Sequence, residues 1–137
     1  MPPDTSNQKS QTGRQVRREV LGSDYVDRRA ASAWPFAKPY LELLEEYCWG
    51  TIWASPGLSR RDRSLLTLGM LIASHRNDEL LVHLGGALNN GLTPQELREA
   101  CMQMGVYCGV PAGMEALRAL RNVLEERGIK VSGEASV

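Results

Sequence analysis

The chain lacks an excess of either charge and lacks long apolar runs, and these two absences exclude large classes of function. Sixteen Lys and Arg residues balance sixteen Asp and Glu residues, so the formal net charge is zero. No bulk electrostatic attraction therefore draws the chain to nucleic acid or to an anionic membrane surface. No segment has the roughly 20 consecutive apolar residues that span a bilayer, and the polar residues 1–13 are unlike a signal peptide. We expect a soluble, cytoplasmic protein.

Cysteine is scarce, and the familiar cofactor motifs are missing. Cys48, Cys101 and Cys108 form no C-x-x-C pair. Cys101 and Cys108, if they share a helix, lie roughly 10 Å apart, too far for a disulfide. The chain has no Gly-rich phosphate loop, no G-x-S-x-G, no H-E-x-x-H and no second histidine spaced to share a metal with His83. A cofactor-free site would have to work through acid–base groups and positioned donors.

The chain has a single Phe and no clean alternation of apolar and polar residues, which favours an all-α fold. Its 137 residues fit one domain. The helical signals predict about six helices joined by short loops. Residues 1–13 are rich in Pro, Ser, Thr, Asn and Gln, so we expect a flexible arm there, a helical domain over residues 14–128, and a flexible tail over residues 129–137.

Local signals predict where the central helices begin and end. Ser59 is a typical N-cap, and the helix after it is apolar almost all round over residues 65–73, which predicts a central buried helix. Gly91 is a typical left-handed stop. Thr93, followed by Pro and by Glu96 three residues later, is a complete helix start.

The stretch 77–93 places polar side chains along one stripe of an otherwise apolar helix. At about 100° per residue, Glu79, His83, Gly86 and Asn90 fall within roughly 60° of one another. His83 between leucines could be a structural residue. A carboxylate one turn earlier, however, can orient the imidazole and raise its pKa, which suits a general acid. Asn90 has two interpretations, because Asn-Gly is also a common helix end.

The helix that follows Ser59 carries Arg60, Arg61 and Arg63 in its first turn. Cations are disfavoured at the positive end of a helix dipole, so this placement makes sense if an anion binds there. The alternative is a solvated cluster, or salt bridges with Asp62 and neighbouring subunits. Arg63 is nearest the apolar run, and we expect it to point inward.

Two tryptophans lie close to a predicted loop. Trp49 and Trp53 stand on either side of Gly50, just before a Pro56-Gly57 turn. They can serve core or subunit-interface packing, or they can form the wall of a pocket. The residues alone leave both interpretations open.

Four stretches, in order, resemble a known family. They are RREVLGSDYVD (17–27), WGTIWASPGLSRRDRSLLTLGMLIA (49–73), ELLVHLGGALNNGLTPQEL (79–97) and VYCGVPAGMEAL (106–117). The sequence is similar to the gamma-carboxymuconolactone decarboxylases, within the broader group that includes the AhpD-type peroxidase-reducing proteins. The AhpD-type branch carries a C-x-x-C on the helix that here has Glu79 and His83. The resemblance therefore points to the decarboxylase branch rather than to thiol chemistry.

The resemblance implies an AhpD-like helical bundle that forms a homo-oligomer, a trimer or a hexamer built as a trimer of dimers. It also implies cofactor-free decarboxylation of 4-carboxymuconolactone, or a related unsaturated carboxylated lactone, in protocatechuate breakdown. In that reading His83 supplies the hydrogen-bond donor or the proton, and Glu79 orients it. Binding of the substrate would fall to five further residues: Arg63, Arg60, Trp49, Trp53 and Asn90.

Other functions fit the same residues. An isomerase or cyclase could use the acid–base pair without loss of CO₂, and a biosynthetic relative could act on another lactone. A non-catalytic oligomeric binding protein could have kept the fold alone. Convergence of Glu79, His83 and Arg63 on one cavity would favour the enzyme, and release of CO₂ would separate a decarboxylase from an isomerase.

Overall fold

Helices make up most of the chain. The computed structural model describes residues 4–133, and within that range it has no β-strand. The described residues form seven α-helices, a 3₁₀ turn at Pro35–Ala37 and a π-helix, the π segment, at Leu44–Trp53. The α-helices are α1 (Thr5–Leu21), α2 (Ser23–Ala31), α3 (Lys38–Leu43), α4 (Arg60–Ala73), α5 (Asn77–Asn89), α6 (Pro94–Cys108) and α7 (Val110–Glu126). The all-α prediction is confirmed.

The chain divides into two compact units, with the division between Arg63 and Ser64. The first unit ends within the first turn of α4, and the second unit begins there. One helical domain over residues 14–128 stays a prediction.

In the first unit, α1 lies so close to the π segment that glycine is required on both sides. A Cβ atom on Gly13 would lie 1.8 Å from the Glu45 carbonyl oxygen, and one on Gly50 would lie 2.0 Å from the Lys9 carbonyl oxygen. The side chain of Asp4 caps α1 by accepting from the Asn7 N–H at 3.3 Å. The predicted flexible arm is therefore wrong for residues 5–13, which are helical because this contact orders them.

In the second unit, one hydrophobic core joins four helices. Leu68, Leu80, Leu84 and Leu97 are each at most 1% exposed in it. Helices α6 and α7 approach closely, since a Cβ on Gly113 would lie 2.9 Å from the Cα of Gly105. The core therefore fixes the position of α5 within this unit.

The predicted caps of the second unit are confirmed. The Thr93 hydroxyl accepts from the Glu96 N–H, and the Glu96 carboxylate accepts from the Thr93 N–H, which forms a full capping box. Gly91 has φ +95°, as the predicted stop requires. Beyond α7, Ile129 and Val131 pack against the core. The predicted flexible tail is wrong for these residues, while residues 1–3 and 134–137 lie outside the described part of the chain.

The prediction that α4 is a central buried helix is wrong. Ser64, Leu68 and Ile72 are its buried side chains, and they form one stripe. On the other side Leu66 and Met70 are 56% and 64% exposed. Across residues 4–133, none of the helices combines the length and the apolar character needed to cross a membrane.

Candidate functional site

The side chain of His83 is half-buried on α5, between two core leucines. Leu80 and Leu84, three residues before it and one after, are 1% and 0% exposed. Burial lowers the pKa of His83 below its ordinary value, and the charge of Glu79 raises that pKa by a smaller amount. Glu79 thus raises the pKa of the imidazole as predicted, but the net shift is downward because desolvation of the ring outweighs the charge of an exposed carboxylate.

A neutral histidine has different chemistry from an imidazolium. Its ring offers one N–H donor and one nitrogen acceptor at the same time. At neutral pH it is suited to hydrogen bonding and stabilising a developing oxyanion rather than to carrying a positive charge. Glu79 is exposed, so its influence on His83 is weakened by solvent.

Asn90 ends α5 and also binds a buried hydroxyl. Its backbone N–H caps the helix by donating to the Gly86 carbonyl, so the helix-end interpretation holds. Its side-chain Nδ2 donates to the Oγ of Ser64 at 2.8 Å, and Ser64 is 1% exposed. The sequence interpretation missed Ser64, although its place on the Leu68–Ile72 stripe of α4 marks it as facing the core.

The end of α5 is held by a second residue that the sequence interpretation missed. Arg127, just after α7, donates through Nη2 to the Gly85 carbonyl at 3.0 Å and through Nη1 to the Asn89 Oδ1 at 2.8 Å. A cation near the C-terminal end of a helix is favourable. Gly85 allows this approach, since a Cβ there would lie 3.0 Å from the Arg127 Nη2.

In the first unit, the side chain of Arg63 is half-buried and is anchored by a backbone carbonyl group. Its Nη2 donates to the Ser55 carbonyl oxygen at 3.1 Å. Its Nε is buried and has no hydrogen-bond partner within residues 4–133. An anchored guanidinium with donors left over is suited to bidentate binding of a carboxylate.

Arg60, in the same turn, already has a carboxylate partner. Its Nη1 pairs with Oε2 of Glu19 on α1. The hydrogen bond from Arg60, together with one from Gln15, holds the pKa of Glu19 below its ordinary value. For Arg60 the structure favours the salt-bridge alternative, with Glu19 as the partner rather than Asp62.

Trp49 and Trp53 are buried and stack on one another. They are 8% and 7% exposed, with ring centroids 5.2 Å apart and planes 23° from parallel. Both lie in the π segment, whereas the sequence analysis predicts only that they lie close to a loop. π-Helical turns are rare overall, but those that occur are often found at functional sites. The π segment that carries the two tryptophans is therefore a candidate part of the site.

The three cysteines are free thiols. Burial raises the pKa of Cys101 to about 11, and it also raises the pKa of Cys48 against the weaker opposing charge of Arg17. Both thiols are protonated at neutral pH, so neither is an activated nucleophile. Within residues 4–133, His, Cys, Asp and Glu side chains form no group of three that could hold a metal ion.

The predicted site residues are divided between the two units. Glu79 and His83 lie on α5 in the second unit, and Asn90 is the C-cap of that helix. The other four predicted residues lie in the first unit: Trp49, Trp53, Arg60 and Arg63. Convergence of His83 and Arg63 on one cavity stays a prediction.

Comparison with known proteins identifies similar decarboxylases. The model of the carboxymuconolactone decarboxylase family matches residues 38–122. The chain is 46% identical over 114 residues to the nitrosuccinic acid decarboxylase of Metarhizium robertsii, covering 83% of this chain and 80% of that protein. It is 37% identical over 122 residues to the 4-carboxymuconolactone decarboxylase of Acinetobacter baylyi, covering 89% of this chain and 91% of that protein. The family match includes every predicted site residue, from Trp49 to Asn90.

Proposed function

The chain belongs to the carboxymuconolactone decarboxylase family, and we propose that it decarboxylates 4-carboxymuconolactone, or a related unsaturated carboxylated lactone, without a cofactor. That the chain is a carboxy-lyase follows from its relatives, both of which are decarboxylases. The observation that carries the mechanism is the half-buried His83, whose pKa is lowered by burial.

Decarboxylation of such a lactone needs a sink for two electrons. The bond between the ring carbon and the carboxylate breaks, CO₂ leaves, and the electron pair moves through the conjugated double bond into the lactone carbonyl. A neutral His83 donates its N–H to that oxygen and stabilises the enolate. A proton delivered to carbon completes the reaction, and Glu79 orients the imidazole.

Binding of the retained carboxylate falls to Arg63. The Ser55 carbonyl anchors this guanidinium, and its buried Nε supports a role in binding an anion. We assign this role to Arg63 rather than to Arg60, because Arg60 already pairs with Glu19. The stacked rings of Trp49 and Trp53 would supply a low-dielectric wall that favours expulsion of the reacting carboxylate. In this proposal Asn90, held by Ser64, also contacts the substrate.

A second candidate substrate is favoured by the relative that is 46% identical, a nitrosuccinic acid decarboxylase. A nitro group beside a carboxylate accepts the electron pair released with CO₂, as a lactone carbonyl does. Both substrates also keep a carboxylate after CO₂ leaves. The same donor and the same arginine would therefore serve either acid, and the sink group alone would change.

We also propose that the protein is a homo-oligomer, a trimer or a hexamer. Each unit exposes large apolar side chains within four residues of one another in the chain, and neighbouring exposed apolar residues are typical of protein interaction surfaces. Trp34 and Phe36 are 67% and 80% exposed in the first unit, and Tyr107 and Val110 are 81% and 75% exposed in the second. The expected setting is the cytoplasm, in the breakdown of aromatic compounds.

The deciding experiment incubates the purified protein with 4-carboxymuconolactone and, separately, with nitrosuccinic acid, and measures both CO₂ release and loss of substrate. We expect CO₂ from at least one acid, and His83→Ala should lower its turnover at least about 10²-fold. A His83→Ala variant with a near-native rate contradicts the role of His83. Loss of the lactone without CO₂ would instead identify an isomerase.

A further inference from the structure

Away from the residues assigned above, the second unit has a cavity of about 260 Å³. It lies between the first turn of α6 and the later turns of α7, and Val131 and Ser132 also line it. Its size is just below the range of about 300–1,000 Å³ for ligand sites, so it suits a small molecule. Neither His83 nor Asn90 lines it.

The two halves of this cavity differ in chemistry. Leu117, Leu120 and Leu124 form one stripe of α7, and Val131 joins them, so this wall is aliphatic. Leu120 and Leu124 are 4% and 7% exposed, because they also belong to the core. A wall built on core residues is held in place whether or not a ligand is bound.

The other half of the cavity is cationic. Arg98 and Arg121 contribute guanidinium groups, and the described lining residues include no carboxylate. Arg121 donates through Nε to Glu125 at 2.7 Å, and Arg98 approaches Glu99 only to 3.7 Å. Both pairs are more than half exposed, so they are weak and a ligand carboxylate can compete with them.

The start of α6 adds a backbone donor to this half of the cavity. The capping box uses the N–H groups of Thr93 and Glu96, and Pro94 has none. Gln95, which lines the cavity, is therefore the residue of this turn whose N–H the box does not use. A helix N-terminus with two arginines nearby favours an anion.

We propose that this cavity is a second ligand site, which binds a small carboxylate with an aliphatic body. The carboxylate pairs with Arg98 and Arg121, and the hydrocarbon lies against the leucines of α7. The site is independent of the proposed function, because it uses none of the residues assigned to catalysis.

The test uses hexanoate as the probe and hexanamide as its neutral counterpart. In the His83→Ala variant, which removes the proposed active-site donor, hexanoate at about ten times its dissociation constant should raise Tm by roughly 3–6 °C. Hexanoate should also shift the backbone amide resonances of Gln95 and Ser132 in a saturable way. Hexanamide should bind at least about tenfold more weakly.

Arg98→Ala and Arg121→Ala should each weaken hexanoate binding about tenfold or more. Arg118→Ala is the matched control, since Arg118 is exposed on α7 and does not line the cavity. Its binding should be unchanged. Equal binding of hexanoate and hexanamide overturns the proposal, as does equal binding by all three variants or the absence of saturable shifts at Gln95 and Ser132.

Discussion

The two units of this chain are stabilised in different ways. The first unit depends on backbone contact between α1 and the π segment, where Gly13 and Gly50 leave no room for a side chain. The second unit depends on an aliphatic core, a capping box at Thr93, and one buried polar pair between Ser64 and Asn90. The comparison shows that similar helices can be fixed by steric exclusion in one unit and by local signals in the other.

The largest effect is expected from Gly50→Ala, which tests whether the first unit depends on the close contact between α1 and the π segment. The new Cβ would lie 2.0 Å from the Lys9 carbonyl, so backbone must move, and we expect a loss of at least about 3 kcal/mol in the free energy of unfolding. Gly57→Ala is the control, because its Cβ would meet only the Ser55 hydroxyl at 3.7 Å. All three tryptophans lie in the first unit, so urea unfolding followed by fluorescence reports on it. Equal midpoints for the two variants would contradict the steric account.

Arg60 and Arg63, two of the three arginines in the first turn of α4, are expected to differ in role, the first in structure and the second in substrate binding. Arg63→Ala should lower kcat/KM roughly 10- to 100-fold through a raised KM, as expected for loss of a charged hydrogen bond. Arg60→Ala should change kcat/KM less than about threefold, because its partner is Glu19 and exposed pairs contribute little. Steady-state kinetics on both variants provide the measurement. Equal losses would return Arg60 to the substrate site, as the sequence alone suggests.

A smaller effect is expected at the buried polar pair of the second unit. Asn90→Ala leaves the Ser64 hydroxyl without this donor, and we expect a loss of about 1–3 kcal/mol in unfolding free energy. Adding Ser64→Ala should recover part of that loss, since both partners are then gone. Asn122→Ala, on the exposed side of α7, should stay within about 0.5 kcal/mol of the native protein. Strictly additive losses would show that the pair is not coupled.

The same contrast explains what the sequence could predict. Thr93, Gly91 and Ser59 act on residues within one turn, so the boundaries they set are readable from local sequence. The contact of Gly50 with Lys9 joins residues far apart in the chain, and no local pattern predicts it or the helix through residues 5–13.

In the candidate site, too, local features could be predicted from the sequence and contacts between distant residues could not. The helical stripe of Glu79, His83 and Asn90 is readable from spacing, and the family resemblance adds the decarboxylase chemistry. The direction of the His83 pKa was not predictable, because it depends on how deeply the fold buries the ring. The partner of Arg60 was not predictable either, since Glu19 lies on another helix.

The central claim is that a neutral His83 donates a hydrogen bond to the developing oxyanion. Its pKa is lowered below the ordinary value of about 6.5, so kcat/KM should be flat at neutral pH and should fall only as the pH drops through that lowered pKa. Protonation of His83 should also reduce the free energy of unfolding as the pH falls below about 6.5, because the unfolded chain then binds the proton before the folded protein does.

The most direct measurement is therefore kcat/KM from about pH 5 to pH 9 for the native protein and for His83→Gln, whose amide is a neutral donor at every pH. The account predicts an acid-side decline in the native protein, and a slower His83→Gln variant that lacks this decline. A native activity that rises toward acid pH, with the rise lost in His83→Gln, would contradict the account and identify His83 as a protonated acid.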